Sequence, residues 1–85
     1  SLAALQQKHG AQTEAIETLK RLVAHDPHRE KAHAELMRLY ATTGQHALMR
    51  RQYEALEQHL KEWDEEPSAA TKRLLAELRE SPDVP

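Results

Sequence analysis

The most informative absences in this 85-residue sequence are cysteine and phenylalanine, together with the scarcity of glycine and of aromatic side chains. Without cysteine the chain can form no disulfide bond and offers no thiolate for catalysis or metal binding. Without phenylalanine, and with few Val or Ile, it has none of the alternating apolar runs that predict β-strands. It also lacks any apolar run of about 18 residues and any recognisable signal peptide. We therefore expect a cytoplasmic protein that makes no contact with membranes.

The sequence also has no large excess of positive or of negative charge. Twelve Lys and Arg residues and fourteen Asp and Glu residues are interspersed and leave a formal net charge of −2. This balance gives no bulk electrostatic reason to expect binding to nucleic acid or to an anionic membrane. What the sequence has in abundance is Ala, Leu, Glu, Lys, Arg and Gln, the strongest helix formers. The composition predicts an all-α domain.

Helical spacing of apolar residues predicts five segments, at about 2–8, 12–25, 28–42, 45–62 and 68–79. Gly10 and Gly44 are predicted to end the first and third segments. Asp26 and Pro27 are predicted to begin the third, with the Asp26 carboxylate as cap, and Ser68 is predicted to cap the last. We expect residues 1–80 to form one domain, a fragment of a larger protein, and residues 81–85, which include two prolines, to form a tail.

The two glycines lie 34 residues apart, and the apolar pattern between them recurs at the same period. At this offset Ala15 aligns with Met49 and Leu19 with Tyr53. Such a period is typical of stacked helical hairpins of the tetratricopeptide type. It predicts a right-handed array of antiparallel hairpins whose inner faces also include Leu48 and Trp63. For Met37, Met49 and Trp63, contact with a partner is the alternative to a place in the core. The predicted structural repeat positions are Gly10, Ala15, Leu19, Pro27, Leu36, Tyr40, Gly44 and Tyr53.

Residues 32–40, followed by Gly44 and Tyr53, resemble a tetratricopeptide repeat. A closer resemblance covers about residues 11–79: the string from residue 22 to residue 40, then Gly44–Gln45, Gln52–Tyr53, Glu66–Pro67–Ser68 and Thr71, is similar to the bacterial transcriptional activator domain. That domain follows a winged-helix DNA-binding domain in SARP-type regulators. The family usually has a Gly–Val pair where this chain has Asp64–Glu65, so we expect the turn there to differ.

The resemblance implies a helical regulatory domain that either self-associates, for example as a homodimer, or contacts the transcription machinery. DNA would be bound only by a separate upstream domain, and a scaffold outside transcription is the alternative function. In a tetratricopeptide hairpin the first helix lines the concave face. This placement gives the candidate partner-binding residues, for which a purely solvated face is the alternative: Lys31, Glu35, Arg38, Ala41 and Thr42.

Six histidines raise the possibility of a metal site, but His25, His28 and His33 do not share a helical face. Zinc needs three or four convergent ligands, so we expect no metal and no cofactor, and we expect His33 to be a hydrogen-bonded core residue. The sequence contains no recognisable set of a nucleophile and a base, so we do not expect an enzyme.

A stripe of basic residues could contact nucleic acid, although acidic residues interleave with it and favour surface ion pairs between residues four positions apart. The stripe consists of Lys20, Arg21, Arg38, Arg50, Arg51, Lys72 and Arg73.

Overall fold

Four helices, joined by short connections, make up the described part of the chain. The structure is a computed structural model that describes the backbone of residues 2–80 and the side chains of residues 10–79. The helices are α1 (Leu2–His25), α2 (Glu30–Thr42), α3 (His46–Lys61) and α4 (Ala69–Glu80), and the described residues contain no strand. The all-α prediction is confirmed. The predicted tail, residues 81–85, lies outside the described residues.

Helix α1 corrects the prediction of a break at Gly10, because it continues through this residue for 24 residues in all. The two segments predicted before residue 26 are therefore one helix, and the described residues form four helices instead of five. Gly10 is exposed and does not adopt a positive φ. A glycine inside a helix costs only about 1 kcal/mol relative to alanine, which the helix formers on both sides offset.

Gly44 ends α2 as predicted, with a φ of 76° that only glycine adopts without strain. Gln45 N–H donates to the Tyr40 carbonyl at 2.7 Å, and Gly44 N–H donates to the Ala41 carbonyl at 3.1 Å. These two bonds form a Schellman motif, which satisfies carbonyls that the end of a helix leaves open.

The turn after α3 has the same pair of bonds, with Asp64 in the glycine position. Glu65 N–H donates to the Leu60 carbonyl at 2.9 Å, and Asp64 N–H donates to the Lys61 carbonyl at 3.0 Å. The φ of Asp64 is 56°. Asp64 thus adopts the left-handed conformation that suits a glycine, and the expectation that this turn differs from that of the family stays a prediction.

The start of α2 also differs from the prediction. The helix begins at Glu30, two residues later than expected, and Arg29 is its N-cap without any side-chain capping bond. The Asp26 carboxylate does not cap the helix but lies 3.3 Å from Arg29 Nε. The Asp26 side chain thus forms an ion pair with Arg29, three residues later, instead of the predicted helix cap.

The core forms where α2 packs against the other three helices. The buried cluster consists of Leu36, Met37, Tyr40, Met49, Tyr53 and Leu74, and Ile16, Leu19 and Val23 of α1 pack against it. Two of the residues predicted to point inward do not: Leu48 is 37% exposed and Trp63 is 61% exposed. Leu48 lies in the first turn of α3, and Trp63 lies in the turn after α3, where its ring stacks on His28.

Candidate protein-binding groove

A groove of about 610 Å³ runs between α2 and α4. Both helices contribute to its walls, which combine charged, hydroxyl and apolar side chains. The lining residues are Glu30, Lys31, Ala34, Glu35, Arg38, Ser68, Ala70, Thr71 and Leu74. We refer to this feature as the α2–α4 groove.

The periodicity of α2 decides which of its residues reach the groove. Residues 31, 34, 35 and 38 follow helical spacing along one face, and they line the groove. Residues 33, 36, 37 and 40 follow the same spacing on the next face, and all four are buried. Helix α2 thus uses one face for the core, and its adjacent face lines the groove.

The carboxylate of Glu30 positions α4 against α2. Its Oε2 accepts hydrogen bonds from Ser68 N–H at 2.9 Å, from Ser68 Oγ–H at 2.7 Å and from the Thr71 hydroxyl. Ser68 Oγ in turn accepts from Thr71 N–H at 3.3 Å, which confirms Ser68 as the N-cap of α4. One carboxylate therefore lies at the N-terminal ends of both α2 and α4, where helix dipoles favour negative charge.

The protonation of Glu30 follows from this environment. Burial by itself raises the pKa of the carboxyl group, but the hydrogen bonds from Thr71 and Ser68 together outweigh it. The pKa of Glu30 is therefore lower than its ordinary value, and the group is ionised at neutral pH.

Exposed ion pairs occur on the described surface, and one of them lies in the groove. Arg38 Nη1 lies 3.3 Å from Glu35 Oε1, and both side chains are more than half exposed, at 59% and 54%. Lys72 donates to Glu66, which lowers the pKa of Glu66 and raises that of Lys72. On α1, Lys20 Nζ lies 3.9 Å from Glu17. The predicted alternation of acidic and basic residues thus produces ion pairs, and the two that lie within a helix are spaced three residues apart.

The structure brings together three of the five predicted partner-binding residues. Lys31, Glu35 and Arg38 line the α2–α4 groove. Ala41 instead packs against the core, and Thr42 is exposed at the end of α2 but does not line the groove. The contribution of α4 was missed, although Ser68, identified as a helix cap, marked where α4 begins.

His33 is a core residue, as predicted. It is completely buried, and its Nε2 lies 2.8 Å from the Pro27 carbonyl. Since a carbonyl only accepts, Nε2 carries the proton, and Nδ1 accepts from the amide of Gln52 at 2.7 Å. Both ring nitrogens are thereby satisfied in the neutral tautomer, so His33 is unsuited to hold a metal.

Three other residues have the composition of a metal site. One ligand atom from each of His28, His59 and Glu62 lies within 4.8 Å of the others. Sequence spacing missed this set because His59 and Glu62 are far from His28 along the chain. A signal existed in the fold: in an antiparallel hairpin the start of one helix lies beside the end of the next.

The family model described as Bacterial transcriptional activator domain matches residues 1–79. The search of curated proteins and the search of solved structures found no match. None of the helices in the described residues combines the length and the apolar character that crossing a membrane requires.

Proposed function

The chain belongs to the bacterial transcriptional activator domain family, and on this premise we propose that it regulates transcription by binding protein through the α2–α4 groove. The family is one of transcription regulator domains and not of enzymes. The binding partner is a second copy of the chain or a component of the transcription machinery. The chain would act in the cytoplasm, where bacterial promoters are located.

The observation that most supports this proposal is the combination of chemical groups in the groove. Ala34 and Ala70 offer small apolar side chains beside the buried Leu74, and removing such surface from water stabilises a complex by about 25 cal/mol per Å². Lys31 attracts carboxylates and helps to orient the partner, whereas Arg38 is paired with Glu35 and offers only the remaining donors of its guanidinium. A polypeptide segment with an apolar anchor flanked by acidic residues fits this combination.

The Glu30 carboxylate supports the proposal in a second way. It is engaged by Ser68 and Thr71, so it holds the two walls of the groove at a fixed separation. A groove that is formed before the partner arrives loses less conformational entropy on binding.

A tethering experiment tests the proposal. The chain is fused to an unrelated DNA-binding domain, and transcription is measured from a reporter promoter that carries the operator of that domain. We expect activation by the fusion, and loss of most of it when Lys31→Glu and Arg38→Glu are combined. Both side chains are exposed, so circular dichroism should show an unchanged fold.

Arg21→Glu is the matched control, because Arg21 is an exposed cation on α1, away from the groove. It should leave activation unchanged. Equal loss in the control, or full activation by the double variant, would remove the α2–α4 groove from the mechanism.

Light scattering at several concentrations separates the two kinds of partner. A mass that rises towards two chains, and that falls back in the Lys31→Glu/Arg38→Glu variant, assigns the groove to self-association. A constant monomer that still activates the reporter assigns it to the transcription machinery.

Direct contact with nucleic acid is the less favoured alternative, because Lys20, Arg38 and Lys72 lie beside carboxylates that compete with phosphate. A salt-dependent shift of labelled duplex DNA by the chain alone would favour it.

A further inference from the structure

A cluster of histidines with one carboxylate lies where the start of α2 meets the end of α3. His28 belongs to the connection between α1 and α2, His59 to the last turn of α3, and Glu62 is the C-cap of α3. His28 Nε2 lies 3.8 Å from Glu62 Oε2, and His59 Nδ1 lies 3.8 Å from Glu62 Oε1. The side of this cluster formed by Glu62 is open to solvent, since that side chain is 63% exposed.

His28 carries the observation that needs an explanation. Its side chain is only 14% exposed, and its Nε2 is buried without a hydrogen-bond partner among the described residues. Buried polar atoms in proteins are nearly always paired, so each unpaired one calls for a ligand, a water or an ion. Nε2 of His28 faces the Glu62 carboxylate at a distance too long for a hydrogen bond.

Trp63 fixes the orientation of this imidazole. The rings of His28 and Trp63 are stacked in parallel planes with their centroids 3.6 Å apart. The His59 ring meets His28 edge-on at 5.7 Å. A ring held between two aromatic neighbours has little freedom to turn, as a metal-binding imidazole requires.

We propose that His28 Nε2, His59 Nδ1 and the Glu62 carboxylate bind a divalent transition metal ion of the Zn²⁺ class. Two imidazole nitrogens and a carboxylate form one of the ligand sets that Zn²⁺ accepts, with water or a further group in the fourth position. Imidazole suits Zn²⁺, Ni²⁺ and Cu²⁺, whereas Mg²⁺ and Ca²⁺ prefer oxygen ligands.

The distances are close to those the ion requires. Ligands about 2.0–2.1 Å from a tetrahedral Zn²⁺ lie about 3.3 Å from one another. The two nitrogen–oxygen separations are 3.8 Å, and all three ligand atoms lie within 4.8 Å. The two 3.8 Å distances involve different oxygens of the Glu62 carboxylate. Because Glu62 is exposed at the end of a helix, its side chain can rotate towards the two nitrogens, and small shifts of the histidine side chains would complete the site.

Binding would connect two elements that are far apart in the sequence. The ion joins the connection before α2 to the C-terminal end of α3, and therefore fixes the hairpin that contains most of the core. The proposal does not depend on the function of the α2–α4 groove, to which none of the three ligands belongs.

Titration of the untagged, chelator-treated protein with Zn²⁺ by calorimetry tests the proposal directly. We expect one ion per chain and a higher melting temperature in its presence. Cu²⁺ or Ni²⁺ should quench the fluorescence of Trp63, the single tryptophan of the chain, because the ion would lie beside the stacked His28 ring.

Three variants, His28→Gln, His59→Gln and Glu62→Gln, should each lower the affinity for Zn²⁺ by at least about tenfold. Glu62→Gln is the decisive one, because the exposed side chain can be changed without disturbing the core. His46→Gln is the matched control: it removes one of the six histidines about 20 Å along α3 from His59 and should bind as the wild type does.

Two results would overturn the proposal. One is the absence of stoichiometric Zn²⁺ binding by the folded wild-type protein. The other is unchanged affinity in both His59→Gln and Glu62→Gln, which would leave the cluster as aromatic packing with a neighbouring carboxylate. The Lys31→Glu/Arg38→Glu variant should bind Zn²⁺ normally, so failure of the groove proposal would not alter this result.

Discussion

His33 shows how the packing around one side chain sets its protonation. Burial lowers the pKa of His33 and is the largest effect, and the nearby His59 lowers it further. The hydrogen bonds with Pro27 and Gln52 and the charge of Glu30 act in the opposite direction without compensating. In the folded protein the ring is therefore harder to protonate than in the unfolded chain, where the ordinary value is 6.5.

This difference makes stability depend on pH. Above the unfolded value neither state is protonated at this residue, and the full stability is present. As the pH falls below 6.5, the unfolded chain takes up a proton that the folded protein refuses, so stability is lost down to the folded pKa. The slope is at most about 1.4 kcal/mol per pH unit for one proton.

We expect His33→Gln to reduce the loss of stability between about pH 7.5 and about pH 5, although the variant is less stable at every pH. The measurement is the free energy of unfolding in urea at several pH values. An unchanged dependence on pH would show that other histidines cause it.

Asp64 carries backbone strain that a single substitution can relieve. Its φ of 56° lies in the left-handed region, which asparagine and aspartate tolerate better than other residues but glycine adopts most easily. We expect Asp64→Gly to stabilise the protein by about 0.5–1 kcal/mol and Asp64→Ala to destabilise it. A shift of the urea midpoint without a change of slope would measure both effects. Stabilisation by Asp64→Ala would contradict the strain argument.

At the scale of the helix, the two glycines predict opposite outcomes for the same substitution. Gly10 lies inside α1, and a Cβ atom added there meets nothing within 4 Å. Gly10→Ala should therefore stabilise the protein by about 0.5–1 kcal/mol. Gly44→Ala should destabilise it by about 1 kcal/mol, because an L residue is strained at a φ of 76°. Thermal unfolding followed by circular dichroism gives both values, and destabilisation by Gly10→Ala would contradict a continuous α1.

The same two glycines show how far a sequence pattern leads at this scale. A period of 34 residues correctly predicts hairpins around Gly44, but periodicity does not say whether a glycine breaks a helix. At Gly44 the backbone bonds of a Schellman motif and the Thr43 hydroxyl, which donates to the Leu39 carbonyl at 2.8 Å, stabilise the end of α2. At Gly10 the flanking Lys, Ala and Gln residues favour continuation. The 34-residue repeat therefore predicts how the helices stack, but it does not predict that α1 continues through Gly10.

At the scale of the whole molecule, the candidate sites could be predicted only in part. Lys31, Glu35 and Arg38 follow from helical spacing on α2, since residues three and four apart share a face. The other wall of the α2–α4 groove depends on how α4 docks, which Glu30 decides through contacts 38 and 41 residues away in the sequence. The histidine cluster depends on the pairing of α2 with α3. Both sites thus need tertiary contacts that local patterns do not contain.

Glu30 joins α4 to α2, and α4 contacts only α2 and α3 among the described helices. We therefore expect Glu30 to decide whether α4 unfolds together with the rest of the protein. Hydrogen bonds to a charged group contribute about 1.5–3 kcal/mol each, and Glu30 accepts three of them from Ser68 and Thr71. The part of this contribution that requires the ionised carboxylate is present above the ordinary carboxyl pKa of 4.5 and is lost as the pH falls through the lower folded pKa.

We expect Glu30→Ala to release α4 before the rest of the protein unfolds. In the wild type, the helical signal in circular dichroism and the fluorescence of Trp63 should change at the same urea concentration. In Glu30→Ala part of the helical signal should be lost at a lower urea concentration, since α4 unfolds first. The fluorescence of Trp63 should not change at that concentration, because Trp63 stacks on His28 and reports the end of α3. Glu30→Gln, whose amide oxygen can still accept, should lie between the two. Coincident transitions in Glu30→Ala would mean that Leu74 and the core alone hold α4 in place.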